Sequence, residues 1–114
     1  MFVNDCLNIN EKGHLTIGGC DTVELAKEYG TPLYVLDENT IRTTCRSYVE
    51  SFKKFYNGNG MPLYASKALS CKELCRIANE EHLGLDVVSG GEIYTAQQAG
   101  FPMEKTHFHG NNKT

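Results

Sequence analysis

No run of apolar residues approaches the roughly 18 needed to cross a membrane as a helix, so a membrane span is not expected. There is no basic excess either. Eleven Lys and Arg face 14 Asp and Glu, a formal charge of −3, which gives no electrostatic reason to expect nucleic acid or an anionic membrane surface as a partner. The opening residues, MFVNDCLNINEK, lack a basic segment followed by a long apolar one, so no export signal is read. No CxxC pairs and no GxGxxG loop occur, which removes the usual signatures of a zinc site and of a dinucleotide fold. The five cysteines, Cys6, Cys20, Cys45, Cys71 and Cys75, are odd in number and follow no signal, as in the reduced thiols of a cytoplasmic protein. Length is also scarce. At 114 residues the chain has room for one ordinary domain and not for the about 250 residues of a complete (β/α)8 barrel.

What is present is a core-forming fraction, 40% hydrophobic, arranged in two styles. The first 20 residues are mixed, with short strands expected at residues 2–3 and 14–17 around a turn at Glu11-Lys12-Gly13. Asp21 is a good N-cap with Glu24 at the capping-box position, and Gly30 stops the helix they open. Residues 33–36 read as a strand by their apolar run. Asp37 begins the longest helix, whose apolar positions Ile41, Cys45, Tyr48, Phe52 and Phe55 step by 4, 3, 4 and 3, opposite a solvated face carrying Arg42, Arg46, Glu50 and Lys53.

Beyond the turn Asn57-Gly58-Asn59-Gly60 the pattern becomes regular. Strands are expected at residues 62–66, 85–88 and 106–110, with helices between them capped by Ser70 with Glu73 and by Ser89 with Glu92. Tyr64, Asp86 and Phe108 recur every 22 residues at what read as equivalent mid-strand places. A βαβαβ run of this kind makes neighbouring parallel strands. Such a sheet must be covered on both faces, so three short strands read as part of a larger α/β sheet or barrel.

Two of these residues carry chemistry. Lys67, in YASKAL, falls at the carboxyl end of the first regular strand, where parallel folds place their reactive groups. Desolvation there would lower its pKa and free the amine for a Schiff base; a surface lysine pointing to solvent is the plainer reading. Asp86 lies within an apolar strand, where a carboxylate is costly without a partner. A structural ion pair with Lys67 and a carboxylate that tunes a reacting lysine both account for it. Ser89-x-x-Glu92 is sufficiently explained as a capping box, and Gly90-Gly91 by itself is weak as a phosphate loop. His107 and His109 share one side of a strand with no third metal ligand nearby, and Cys71 and Cys75, four apart, read as packing rather than a metal pair.

YASKAL, then LGLDVVSGGEIYTAQQAGFP, then HFHGNNKT, in that order and spacing, resemble the fold-type III pyridoxal-phosphate-dependent amino-acid decarboxylases, and among them the diaminopimelate decarboxylase branch. The ornithine and arginine decarboxylases of the same fold share the lysine, aspartate and glutamate but usually not the Val-Val-Ser-Gly-Gly and His-Gly-Asn-Asn-Lys readings. The resemblance implies an α/β fold: the start of an alanine-racemase-like (β/α)8 barrel, about three of its eight strands, over residues 37–114, preceded by strands of a β-rich domain over residues 1–36. It implies pyridoxal 5'-phosphate as cofactor, held by Lys67 as a Schiff base. Asp86 and His109 are implied near the cofactor, and Lys67, Asp86, Glu92 and His109 as the candidate catalytic set, with no metal.

The activity implied is decarboxylation of meso-2,6-diaminopimelate to L-lysine and CO₂, a step of lysine biosynthesis, in a cytoplasmic homodimer whose only other partner is a small amino acid. An ornithine or arginine decarboxylase and a non-catalytic module are the alternatives. The glycine-rich phosphate loop, the ring-stacking histidine and the carboxylate beneath the pyridine nitrogen are not found among these residues. The 114 residues alone are therefore expected to be inactive and poorly folded.

Overall fold

The computed structural model describes residues 2–110; the expected loop at Asn111 and Asn112 lies outside the described residues. The chain divides into two compact units, Met1–Ile41 and Arg42–Thr114. No helix among the described residues is long and apolar enough to cross a membrane.

The first unit is a small antiparallel sheet, β1 (Leu7–Ile9), β2 (Leu15–Ile17) and β3 (Cys20–Asp21), followed by helix α1 (Thr22–Tyr29). The first strand is therefore Leu7–Ile9 and not residues 2–3. Leu7 pairs with Ile17 and Ile9 with Leu15, across a turn in which Asn10 accepts from the amides of Lys12 and His14. That Asx-type turn sets the register and leaves residues 2–3 outside the ladder. Asp21 caps α1 as expected, accepting from the amides of Val23 and Glu24. Glu24 makes no reciprocal capping bond and pairs with Lys27 instead. Gly30 ends the helix with φ of 81°, open to glycine at little strain. Residues 33–36 form no strand. Their apolar run has no neighbouring backbone to pair with, and a strand is made by pairing, not by composition.

Helix α2 (Glu38–Tyr56) starts at Asp37, whose carboxylate accepts from the amide and hydroxyl of Thr40. In the second unit its inner side is Cys45 and Val49, packed on the core, with Phe52 half-buried; Tyr48 and Phe55 of the expected apolar face are exposed. The expected solvated face holds at Arg46, Glu50 and Lys53 and is corrected at Arg42. Arg42 is half-buried and donates to Glu80 at 2.6 Å and Glu81 at 2.8 Å, while Arg46 reaches Glu81 at 2.7 and 2.8 Å. Arginine spans such distances while its stem covers apolar surface, so Arg42 leaves the water that Arg46 largely keeps.

Three parallel strands follow, β4 (Leu63–Ala65), β5 (Gly84–Val87) and β6 (Thr106–Phe108), in that order. Helix α3 (Lys72–Glu80) links the first two and α4 (Gly90–Gln98) the second pair. Leu74, Cys75, Ile77 and Ala78 of α3, Ala96 of α4, Leu83, Leu85, Val87 and Phe101 are buried. Removing side chains such as Leu85 and Val87 from water stabilises by about 1.5–3 kcal/mol each. Cys75 is thus a core residue, and burial pushes its thiol up. Cys71, not Ser70, is the N-cap of α3, with no side-chain capping bond, and Glu73 pairs with Arg76 instead of capping.

The register corrects the 22-residue spacing. Tyr64 pairs with Leu85 and Leu85 with Thr106, while Ala65 pairs with Asp86 and Asp86 with His107. The strand repeat is 21. Because side chains alternate with period two, a repeat off by one changes faces. Tyr64 and Phe108 pack against the helix-side core, and Asp86 stands on the opposite face beside Ala65 and His107.

On that opposite face Gly84 has no room to grow: a Cβ there would meet Leu63 Cδ2 and the Lys105 carbonyl oxygen, each at 2.6 Å. Gly84→Ala is expected to destabilise by about 1–3 kcal/mol, read from denaturant unfolding, because a backbone atom must shift. Hydrogen bonds from Arg46 first, then Arg42, hold the Glu81 carboxyl at about 2 against an ordinary 4.5, with burial opposing. A lowered folded value means stabilisation present above about 4.5 and lost as pH falls toward 2. Glu81→Gln is therefore expected to lower the melting temperature at neutral pH and to flatten its decline across that acid window, measured by circular dichroism.

Candidate active site

The four candidate residues are placed by the carboxyl ends of the parallel strands. Lys67 follows β4 in a 3-10 turn, Ser66–Ala68, and its side chain is exposed. Asp86 is the third residue of β5 and partly buried. Glu92 lies in the first turn of α4, directly after β5. His109 follows β6, its amide bonded to the Val87 carbonyl at 2.9 Å, and its side chain is exposed. The topology alone brings them to one edge, because parallel strands joined by helices all end on the same side.

The lysine turn is held from two directions. Tyr64 donates its hydroxyl to the Leu69 carbonyl at 2.8 Å, closing the loop around the turn. Ser66, 1% exposed, places its Oγ 2.5 Å from Glu92 Oε1 and 3.1 Å from the Asp86 carbonyl oxygen. The ion pair between Lys67 and Asp86, one of the two readings of these residues, is not among the ion pairs of the described residues.

Glu92 is buried and its carboxylate is met on both sides. Ser89 Oγ at 2.7 Å and the Val88 amide at 3.2 Å donate to Oε2, and Ser66 donates to Oε1. Burial pushes its pKa up, but the bonds from Ser66, Ser89 and Val88 together outweigh burial and hold the group below the ordinary carboxylate range. The capping role is present too, since the Glu92 amide donates to Ser89 Oγ at 3.3 Å. Neither Gly90 nor Gly91 is demanded by crowding; a Cβ would meet nothing within 4 Å at the first and only Ser89 Oγ at 3.9 Å at the second.

His107 and His109 are both exposed. Among the described residues, the side chains close enough together to bracket an ion are His14, Asp21 and Glu24 in the first unit. Burial opposes ionisation of Asp21, but hydrogen bonds from His14, Asn10 and the Glu24 and Val23 amides hold its carboxyl far below the usual range. Those bonds explain the cluster as the cap of α1.

Ser66 and Tyr64 are the residues that sequence reasoning missed as parts of the site. Both stand in YASKAL, but only the fold shows that one reaches α4 and the other closes the turn. The donor set suits an aldehyde cofactor: a primary amine on a braced turn at a strand end, with a carboxylate on the neighbouring strand and imidazoles on the next. The primary amine is the group that takes such an aldehyde covalently.

Comparison with known proteins agrees with this chemistry. Residues 38–114 match the family model described as pyridoxal-dependent decarboxylase, pyridoxal binding domain. A diaminopimelate decarboxylase of Bacillus methanolicus is 53% identical over all 114 residues, which are 26% of its length. A crystal structure of diaminopimelate decarboxylase from M. jannaschii superposes on 97% of this chain and 26% of that one with a TM-score of 0.86 at 39% identity. Another from the same organism, in complex with L-lysine, covers all of this chain and 27% of that one with a TM-score of 0.85, again at 39% identity. The chain thus spans about a quarter of the length of the curated relatives it matches. Its three parallel strands are the start of the alanine-racemase-like barrel. With a lysine on the strand-end turn, an aspartate on the next strand and a family match over residues 38–114, the chain belongs to the pyridoxal-dependent decarboxylases, those residues matching their pyridoxal-binding domain.

Proposed function

We propose that these residues belong to a diaminopimelate decarboxylase, which converts meso-2,6-diaminopimelate to L-lysine and CO₂. The observation that carries the reading is the lysine turn. Lys67 sits at the carboxyl end of β4 on a backbone braced by Tyr64 and Ser66, two residues beyond Ala65, which pairs with Asp86 on β5. The identity to diaminopimelate decarboxylases supports the substrate, as does the likeness to a structure holding L-lysine.

In this reading Lys67 holds the cofactor covalently through its amine. When bound, the pyridine ring supplies an electron sink for the carbon that loses CO₂. Asp86 presents a carboxylate on the face turned away from the helix-side core. Its place on the strand beside the lysine turn suits it to contact with the cofactor or the substrate. His109 offers an imidazole at the same strand-end edge, suited to contact with cofactor or substrate. The β-rich unit would belong to a separate domain over residues 1–36, with the barrel from residue 37 onward. The working enzyme would be a cytoplasmic homodimer with a small amino acid as substrate.

In the full-length protein, borohydride reduction followed by peptide mass spectrometry is expected to show a pyridoxyl adduct on Lys67; an adduct on a different lysine would refute the assignment. Lys67→Ala is expected to lower turnover of diaminopimelate by on the order of 10³-fold or more, and Asp86→Asn by about 10²-fold. Assay of the same protein with ornithine and arginine decides between branches: preferred turnover of either would overturn the substrate. The 114 residues alone are expected to release no CO₂ from diaminopimelate.

A further inference from the structure

Capping accounts for only half of the Glu92 carboxylate. In a capping box the glutamate side chain reaches back to the amide of the N-cap residue. Here Oε2 takes the amide of Val88, one residue earlier, together with the Ser89 hydroxyl, and Oε1 is turned away from α4 toward the lysine turn. There it meets Ser66 Oγ at 2.5 Å. One hydroxyl carries one proton. The carboxylate takes it at the shorter distance, and the Asp86 carbonyl at 3.1 Å is a longer second acceptor. This one contact therefore joins the residue before Lys67, the strand that carries Asp86 and the start of α4. Charge-assisted hydrogen bonds between buried groups are short and directional, and so hold a backbone segment to one orientation.

We propose that Ser66 and Glu92 act as a buried positioning pair that sets the direction in which Lys67 leaves its turn, and that Glu92 touches neither cofactor nor substrate. The proposal rests on Lys67 being the cofactor lysine. It turns Glu92 from a candidate catalytic residue into a positioning residue and adds Ser66, which carries no chemistry of its own. Misplacing a reacting amine by a fraction of its own length is enough to slow chemistry without weakening substrate binding.

The test uses the full-length holoenzyme carrying Ser66→Ala, Glu92→Gln and both together. Borohydride reduction and mass spectrometry of the unsubstituted enzyme first locate the cofactor. The variants are then compared for kcat, for KM and for the rate at which hydroxylamine strips the cofactor. Ser66→Ala is expected to lower kcat by roughly tenfold or more, to change KM by less than about twofold and to speed cofactor release. Glu92→Gln keeps the shape but cannot accept on both sides, so it is expected to shift kcat and release in the same direction. The double variant is expected to be no worse than the worse single one, because both changes break one contact.

An adduct on Lys67 with unchanged kcat and release in the single variants would overturn the positioning role, as would effects that multiply in the double variant. An adduct on another lysine would instead remove the reading of Lys67, a failure visible before any substitution is made. Should Ser66→Ala not fold, the release rate of Glu92→Gln decides alone, and an unchanged rate overturns the pair.

Discussion

A carboxylate can leave water only if something else meets its charge, and at Glu92 that requirement ties three elements together. The end of β5 supplies an amide, the cap of α4 a hydroxyl, and the turn after β4 a second hydroxyl. Without those donors the group would face the full cost of burial; with them it is held ionised. The lysine turn, the neighbouring strand and the next helix are consequently held at fixed places relative to one another. Reactive positions in parallel folds are built at strand ends, where backbone leaves the ladder and has few hydrogen bonds of its own. A buried charge is one way to return rigidity to such a place.

A second set of charges joins α2 to the end of α3. Arg42 and Arg46 on α2 converge on Glu80 and Glu81 at the end of α3. Glu81 is itself buried, and the two guanidinium groups compensate its desolvation. Together with Cys45 and Val49 on the core, these pairs settle which side of α2 is the inner one. Arg76 joins Glu73 and Glu80 along the exposed side of α3, where screening leaves such pairs little energy.

The local devices were legible in sequence because their causes are local. Asp21, Ser89 and Gly30 did what caps do, since a cap is a bond within four residues of itself. The alternation of strand and helix after Gly60 was legible for the same reason, and Lys67 and Asp86 could be singled out by their places in it. The register was not. A 22-residue recurrence linked Tyr64, Asp86 and Phe108, but pairing with a 21-residue repeat put Asp86 on the opposite face from the other two. Residues 33–36 had the composition of a strand and no partner, and Ser70 had the right type for a cap one residue too early.

What the chain alone determined is the succession of elements, the parallel arrangement they impose and the places of Lys67 and Asp86 within it; Glu92 and His109 entered the candidate set by family resemblance. That succession and those places follow from period, caps and the handedness of βαβ connections, all of which act over a few residues or a single crossover. What only the tertiary structure decided is which face each strand residue occupies, where Arg42 and Arg46 go, and that Ser66 reaches Glu92, 26 positions away. Those depend on contacts between segments far apart in sequence, and no pattern along one segment specifies its partner on another.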